Sequence, residues 1–314
     1  MNKIKLLLKK IPIVFHLLKI IQDRRYFYHY LQGFLSNKKA RSFFTSLESK
    51  FFFKKNDLIK DNFVDVKDNI NKLKTSGVIE NPIFIPKNKI DKIVDFLKSK
   101  QMHDPELYSN DYFYYDNRPD EVKRGFYKCE DVVYAPHVLE IANDPMLLSI
   151  AYEYFGAIPC IDYIGSWWSF PSNDLALTQS FHRDIDTLNS LKFFVYLTDV
   201  DKESGPHVYV KGSHNSSYRT SKDKMHNDFE IENEFNKSNI VNLEGEEGYT
   251  FIADTFGFHK GLPPTNKSRL VLQIIYTLKR TPFGPKSPFI CMEDAVKLTS
   301  NPFSNYVNRN IIKA

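Results

Sequence analysis

Cysteine is scarce: Cys129, Cys160 and Cys291 are the only three in 314 residues, and no two stand in CxxC spacing. That excludes a disulfide framework and a thiolate zinc site, and makes a reducing cytoplasm the expected home. Long apolar runs are missing too. The longest uncharged run near the N-terminus, Ile11 to Leu18, falls well short of the ~20 residues that a spanning helix needs. Lys9, Lys10 and Lys19 break the apolar centre that a secretory signal would want. After residue 60 the chain has no excess of positive charge, because acids there outnumber Lys and Arg; this removes the basis for a nucleic-acid groove.

What is present in quantity is aromatic. With 26 Phe and 18 Tyr the chain can furnish a large core and an enclosed cavity. Basic residues concentrate at one end: residues 1–60 hold 14 Lys+Arg against only Asp23, Glu48 and Asp57. Two readings of this stretch stay open. It either lies on an anionic membrane surface as an amphipathic segment, or docks as helices on the protein's own body.

Apolar spacing at Ile90, Ile93, Val94 and Leu97 predicts one helix. Asp144-Pro145 before Leu147, Leu148, Ala151, Tyr152 and Phe155, with Gly156 after them, predicts another. Short β-type runs follow at Cys160–Phe170, Leu191–Leu197, His207–Val210, Tyr249–Ala253 and Leu270–Leu278, a pattern for a sandwich or barrel. Asn215 to Ile240 is polar and without period, and reads as an insertion. The expected organisation is a basic helical extension over 1–80, a mainly β domain over 81–280 (helical lead-in 81–156, core 157–280), and a proline-punctuated tail over 281–314. The aromatic and basic stretch from Asp111 to Lys128 reads as core or as a lid.

Two His-x-Asp pairs occur. His226-Asn227-Asp228 lies among charges and reads as a solvated segment. His182-Arg183-Asp184 directly precedes the alternating run Leu191–Leu197, which puts its imidazole and carboxylate on one face at a strand end. A third histidine from another strand, His207, His214 or His259, would complete the 2-His-1-carboxylate triad of non-haem Fe(II) oxygenases. Ten residues after His259, Arg269 enters an apolar strand, where a guanidinium calls for an anion. Lys192 and Lys260 are the other cations within reach in sequence.

These residues carry a resemblance. The run Phe181-His182-Arg183-Asp184, a strand, Gly205-Pro206 and the corner Lys211-Gly212-Ser213-His214 resembles the phytanoyl-CoA dioxygenase family of Fe(II)/2-oxoglutarate-dependent oxygenases, from about Asn143 to Leu278. The resemblance implies a double-stranded β-helix core of jelly-roll, cupin-like type, with flanking α-helices. It assigns His182, Asp184 and His259 as metal ligands and Arg269 to the far carboxylate of 2-oxoglutarate, with O2 as oxidant. Gln179 and Trp168 are expected to face the pocket, His207 to line core or substrate, and His214 to be structural. Gly261 stands where relatives often carry a hydroxyl residue. The implied reaction is hydroxylation of an unactivated C–H bond in a small or carrier-linked molecule, with succinate and carbon dioxide released. Asp184, present where halogenating relatives have a small residue, favours that outcome. The competing expectation is a catalytically inactive relative acting as a binding or scaffold protein through its basic N-terminus.

Overall fold

The computed structural model describes residues 12–32, 35, 38–52, 63–105, 112–172, 180–218, 225–299 and 304–313. Its strands are β1 (Val78–Glu80), β2 (Met102–His103), β3 (Arg124–Tyr127), β4 (Cys160–Ser169), β5 (Ser190–Tyr196), β6 (His207–Val210), β7 (Ile240–Leu243), β8 (Thr250–Ala253), β9 (His259–Gly261) and β10 (Arg269–Thr277). They form a seven-stranded sheet ordered β1-β8-β5-β10-β4-β3-β2 and a three-stranded sheet ordered β7-β6-β9, with antiparallel pairing. One apolar cluster joins Phe194, Tyr196, Phe251 and Val271 of the large sheet to Tyr209 and Leu243 of the small one, so the sheets pack face to face as a double-stranded β-helix.

The large sheet is covered on both faces, which is why its central strand reads as a continuous apolar run. On β5, Leu191, Phe193 and Val195 join the helix-covered cluster, while Phe194 and Tyr196 face the small sheet. Lys192 is the one charge in that strand. The helices, in chain order, are α1 (Pro12–Gln22), α2 (Tyr26–Gln32), α3 (Lys38–Phe52), α4 (Lys67–Ser76), α5 (Lys87–Lys98), α6 (Cys129–Tyr134), α7 (Val138–Ala142), α8 (Pro145–Phe155), α9 (Asp228–Glu234), α10 (Met292–Leu298) and α11 (Asn305–Asn308). The helix expected from Ile90 is α5, which buries Ile90, Ile93 and Leu97. In α8 the Asp144 carboxylate accepts from the amides of Met146 and Leu147, and Gly156 closes the helix at φ 69°.

Three expectations of organisation need correction. The boundary at residue 80 is too late, since β1 pairs with β8 from Val78 to Glu80. The segment 215–240 is not bare insertion: α9 buries Ile231, which joins Phe258 in a third cluster flanked by Phe235. The tail is built into the domain, because Asn308 and Asn143 exchange side-chain hydrogen bonds and Ile311 is fully buried. Where it is described, the stretch up to Lys128 is built into the domain: Tyr115 packs on Trp168, and β3 pairs with β4.

The N-terminal helices dock on the domain. Arg25 donates to the carbonyls of Thr281, Gly284 and Pro285, His29 Nδ1 lies 2.8 Å from the Ile185 carbonyl, and Arg41 donates to the Leu188 carbonyl. Glu48, buried, pairs with Lys279 and accepts from Asn189. Among the described residues no helix is long and apolar enough to cross a membrane.

Candidate active site

The site forms where the loop before β5 meets β9. His182 forms an antiparallel bridge with His259, the first residue of β9, and their rings lie 4.3 Å apart. Each imidazole is oriented the same way: Nδ1 of His182 meets the Ser180 carbonyl and Nδ1 of His259 the Gly257 carbonyl, both at 2.9 Å. A carbonyl can only accept, so Nδ1 carries a hydrogen, and in a neutral ring so oriented Nε2 is the atom left to bind a cation. Those Nε2 atoms lie 3.8 and 3.3 Å from the two oxygens of Asp184. One ligand atom from each of His182, Asp184 and His259 falls within 4.8 Å of the others, the spacing of donors around a single ion.

Local chemistry fixes the approach to His259. Ser213, in the Gly-Ser-His corner, accepts from the amide of Phe258 at 2.7 Å and donates to the Val210 carbonyl at 2.6 Å. Gly257 has no room for a side chain, because a Cβ there would lie 2.1 Å from the Tyr209 hydroxyl. Arg183, between the two ligands of the His-x-Asp pair, turns away and donates to the Phe256 carbonyl, tying the ligand loop to the same turn.

Electrostatics keep the cluster ready for a cation. Burial opposes ionisation of Asp184, yet Lys192 and the imidazoles outweigh it and hold the carboxyl well below the usual carboxylate range. Burial, with the neighbouring His259, pulls His182 down to about 4, so its ring is neutral at pH 7. Lys192 bridges Asp184 and Asp186 at 2.8 Å each.

A cavity of about 260 Å3 opens beside the cluster. Arg124, Lys192, Arg269 and Gln273 line it, together with Phe126, Tyr163, Trp167 and Phe194. Arg269 is buried at the start of β10, its Nε has no partner, and burial lowers its pKa. An anion seated there would satisfy the guanidinium. Three converging ligand atoms and a buried Arg with an orphaned Nε in one cavity therefore fit Fe(II) and the carboxylate of 2-oxoglutarate.

The remaining expected residues fall as follows. His207 lines the cavity but stands behind the ligands, stacked on His259 at 5.3 Å, and burial holds its pKa well below the ordinary histidine value. His214 lies away from the cavity, 3.2 Å from the Lys74 carbonyl. Trp168 does not face the pocket: its Nε1 donates to the Tyr127 hydroxyl in the helix-covered core, and alternation along β4 gives the pocket Trp167, stacked on Phe126 at 5.6 Å. Gln179 lies outside the described residues. His226 is buried rather than solvated, bridged to Phe181 and edge-on to Phe258, because the backbone pairing draws it under the small sheet. Lys260 points elsewhere, to Asp228. Lys192 was legible by the same signal as Arg269, a lone charge in an apolar strand. Arg124 belongs to the basic part of the Asp111–Lys128 stretch, while Tyr163 and Gln273 carry no comparable mark in the sequence.

No curated protein matches the chain by sequence. Among solved structures, EctD from S. alaskensis with 2-oxoglutarate and 5-hydroxyectoine has a TM-score of 0.52 at 16% identity, covering 79% of this chain and 85% of that one. The epimerase SnoN in complex with Fe3+, alpha ketoglutarate and nogalamycin RO also reaches 0.52, at 13% identity, covering 77% and 97%. These likenesses establish the fold. The family model for phytanoyl-CoA dioxygenase matches residues 109–271, a stretch that contains His182, Asp184, His259 and Arg269. The chain belongs to the phytanoyl-CoA dioxygenase family.

Proposed function

We propose that this protein is an Fe(II)/2-oxoglutarate-dependent dioxygenase that hydroxylates an unactivated C–H bond of a small or carrier-linked molecule. The observation that carries the reading is the conjunction in one cavity of the His182, Asp184 and His259 donor atoms with the buried, unpartnered Nε of Arg269. Bound together, iron, 2-oxoglutarate and O2 supply the oxidising power, with succinate and carbon dioxide as the cosubstrate's products.

The chain's own residues supply position. His182 and His259 would hold the ion through Nε2 and Asp184 through its carboxylate, beside the cavity. Arg269 orients the cosubstrate through its far carboxylate. Phe126 and Trp167 form an apolar wall that keeps water from the reacting carbon. Asp184 fills the ligand position that a halogenating relative leaves vacant, and this supports hydroxylation. A non-catalytic scaffold would have no use for a buried Arg with an orphaned Nε beside three ligand atoms, and that second reading is not favoured.

The test is anaerobic titration of the purified protein with Fe(II) and 2-oxoglutarate, followed by admission of O2. The expected result is a weak visible charge-transfer band that decays with release of succinate. A folded protein that shows neither band nor succinate would overturn the proposal.

A further inference from the structure

Helix α3 is docked inside out. Its buried side is polar: Glu48 pairs with Lys279, Arg41 donates to the Leu188 carbonyl, and the Thr45 carbonyl meets the Asn189 amide group. Its outward side carries Phe43, Leu47 and Phe51 at i, i+4 and i+8, exposed by 63%, 41% and 82%. An amphipathic helix on a globular protein turns its apolar stripe inward. Here the polar side is anchored, and three large apolar side chains in one row face outward. Helix α1 adds Leu17 and Ile21, one turn apart and exposed by 53% and 78%.

Charge selects the occupant. Residues 1–60 hold 14 Lys+Arg and three acids, and both acids in the described part are engaged inward, Asp23 with Arg25 and Glu48 with Lys279. Lys50, exposed, lies on α3 beside Leu47 and Phe51. A second copy would bring two segments with this excess of positive charge together across a two-fold axis, which like charges oppose. A row of apolar side chains amid lysines suits the boundary between acyl chains and anionic headgroups.

We propose that the outward face of α3, with Phe43, Leu47 and Phe51 as its inserted row, docks this protein on an anionic lipid surface. The proposal is independent of the catalytic reading. Helices α2 and α3 also hold the metal-ligand loop, through His29 to Ile185 and Arg41 to Leu188, so docking would place the candidate active site close to the lipid.

The experiment uses the full chain and sedimentation with vesicles of phosphatidylcholine, with and without phosphatidylglycerol. The parent should pellet with the anionic vesicles and remain in solution with the neutral ones, and added salt should weaken its binding. The triple variant Phe43→Ser, Leu47→Ser, Phe51→Ser changes only exposed side chains. It should melt as the parent does and bind at least about tenfold more weakly. Leu47→Trp gives a separate readout, since brominated lipid should quench its fluorescence. Binding that survives the triple substitution, equal pelleting with neutral vesicles, no quenching in Leu47→Trp, or a dimer in solution that the triple substitution dissolves would each overturn the proposal.

Discussion

The Nζ of Lys192 lies 2.8 Å from Asp184 Oδ2, so the carboxylate among the three candidate ligands already shares one oxygen with a buried ammonium. The same ammonium lies 2.8 Å from Asp186. Lys192 thus balances two carboxylates before any cation arrives.

Replacing it by methionine removes that balance. Lys192→Met should destabilise the metal-free protein by up to about 3–5 kcal/mol, because two partly buried carboxylates lose their buried counter-charge. A divalent ion then takes over part of the ammonium's role, so Mn(II) should raise the melting temperature more in the variant than in the parent. Equal stability of the two metal-free proteins would refute this account.

Metal content separates ligands from neighbours. His182→Ala and His259→Ala each remove one of three donors and should lose tight iron binding. His207→Ala and His214→Ala should keep it, since His207 stands behind the ligands and His214 faces Lys74. Iron measured on folded variants decides the matter; loss in His207→Ala with retention in His259→Ala would reverse the assignment.

Arg269 and Gly261 predict opposite effects on the cosubstrate. Arg269→Ala should weaken 2-oxoglutarate binding roughly a hundredfold or more, a loss of about 3–5 kcal/mol, with Arg269→Lys recovering part. A Cβ at Gly261 would sit 3.5 Å from the Arg269 guanidinium, so that Gly261→Ser fits the space and brings a hydroxyl to the same anion. It should tighten 2-oxoglutarate binding several-fold, about 1 kcal/mol for one hydrogen bond. Titration of the Fe(II) protein without oxygen reads both.

One buried acid should tilt the pH dependence of stability. Burial, set against hydrogen bonds from Thr281, raises Asp162 from 3.8 to about 6. Between those values the unfolded chain releases this proton while the folded one keeps it. Its contribution to stability is therefore full below pH 3.8 and falls until about pH 6, by on the order of 3 kcal/mol. Asp162→Asn should remove the slope, gaining on the parent at neutral pH and not in acid. Urea midpoints across that range check it; parallel curves for the two proteins would count against it.

The sequence exposed the strands because burial on both faces leaves long apolar runs, as in Leu191 to Leu197. It marked His182, Asp184 and Arg269 because polar groups at the ends of such runs need a reason, while the choice of His259 over His207 and His214 rested on the family resemblance. Short elements were less visible. β7 and β9 have four and three residues, too few to show a period, and His226 was misjudged because its burial comes from pairing with Phe181, distant in sequence. Trp168 and Trp167 differ only in which face of β4 they take, and that depends on β3 and the helices behind it.

The attachment of α2 and α3 to residues 185–189 changes what counts as the smallest working unit. The family-matching stretch begins at residue 109, yet the carbonyls of Ile185 and Leu188, shortly after the candidate ligand Asp184, are held by His29 and Arg41. A fragment cut to the matching stretch would have to order that loop again at each binding event, at roughly 1–2 kcal/mol per residue fixed. Affinity for iron should therefore depend partly on His29 and Arg41, more than 140 positions upstream of His182 and Asp184 and not themselves among the candidate ligands.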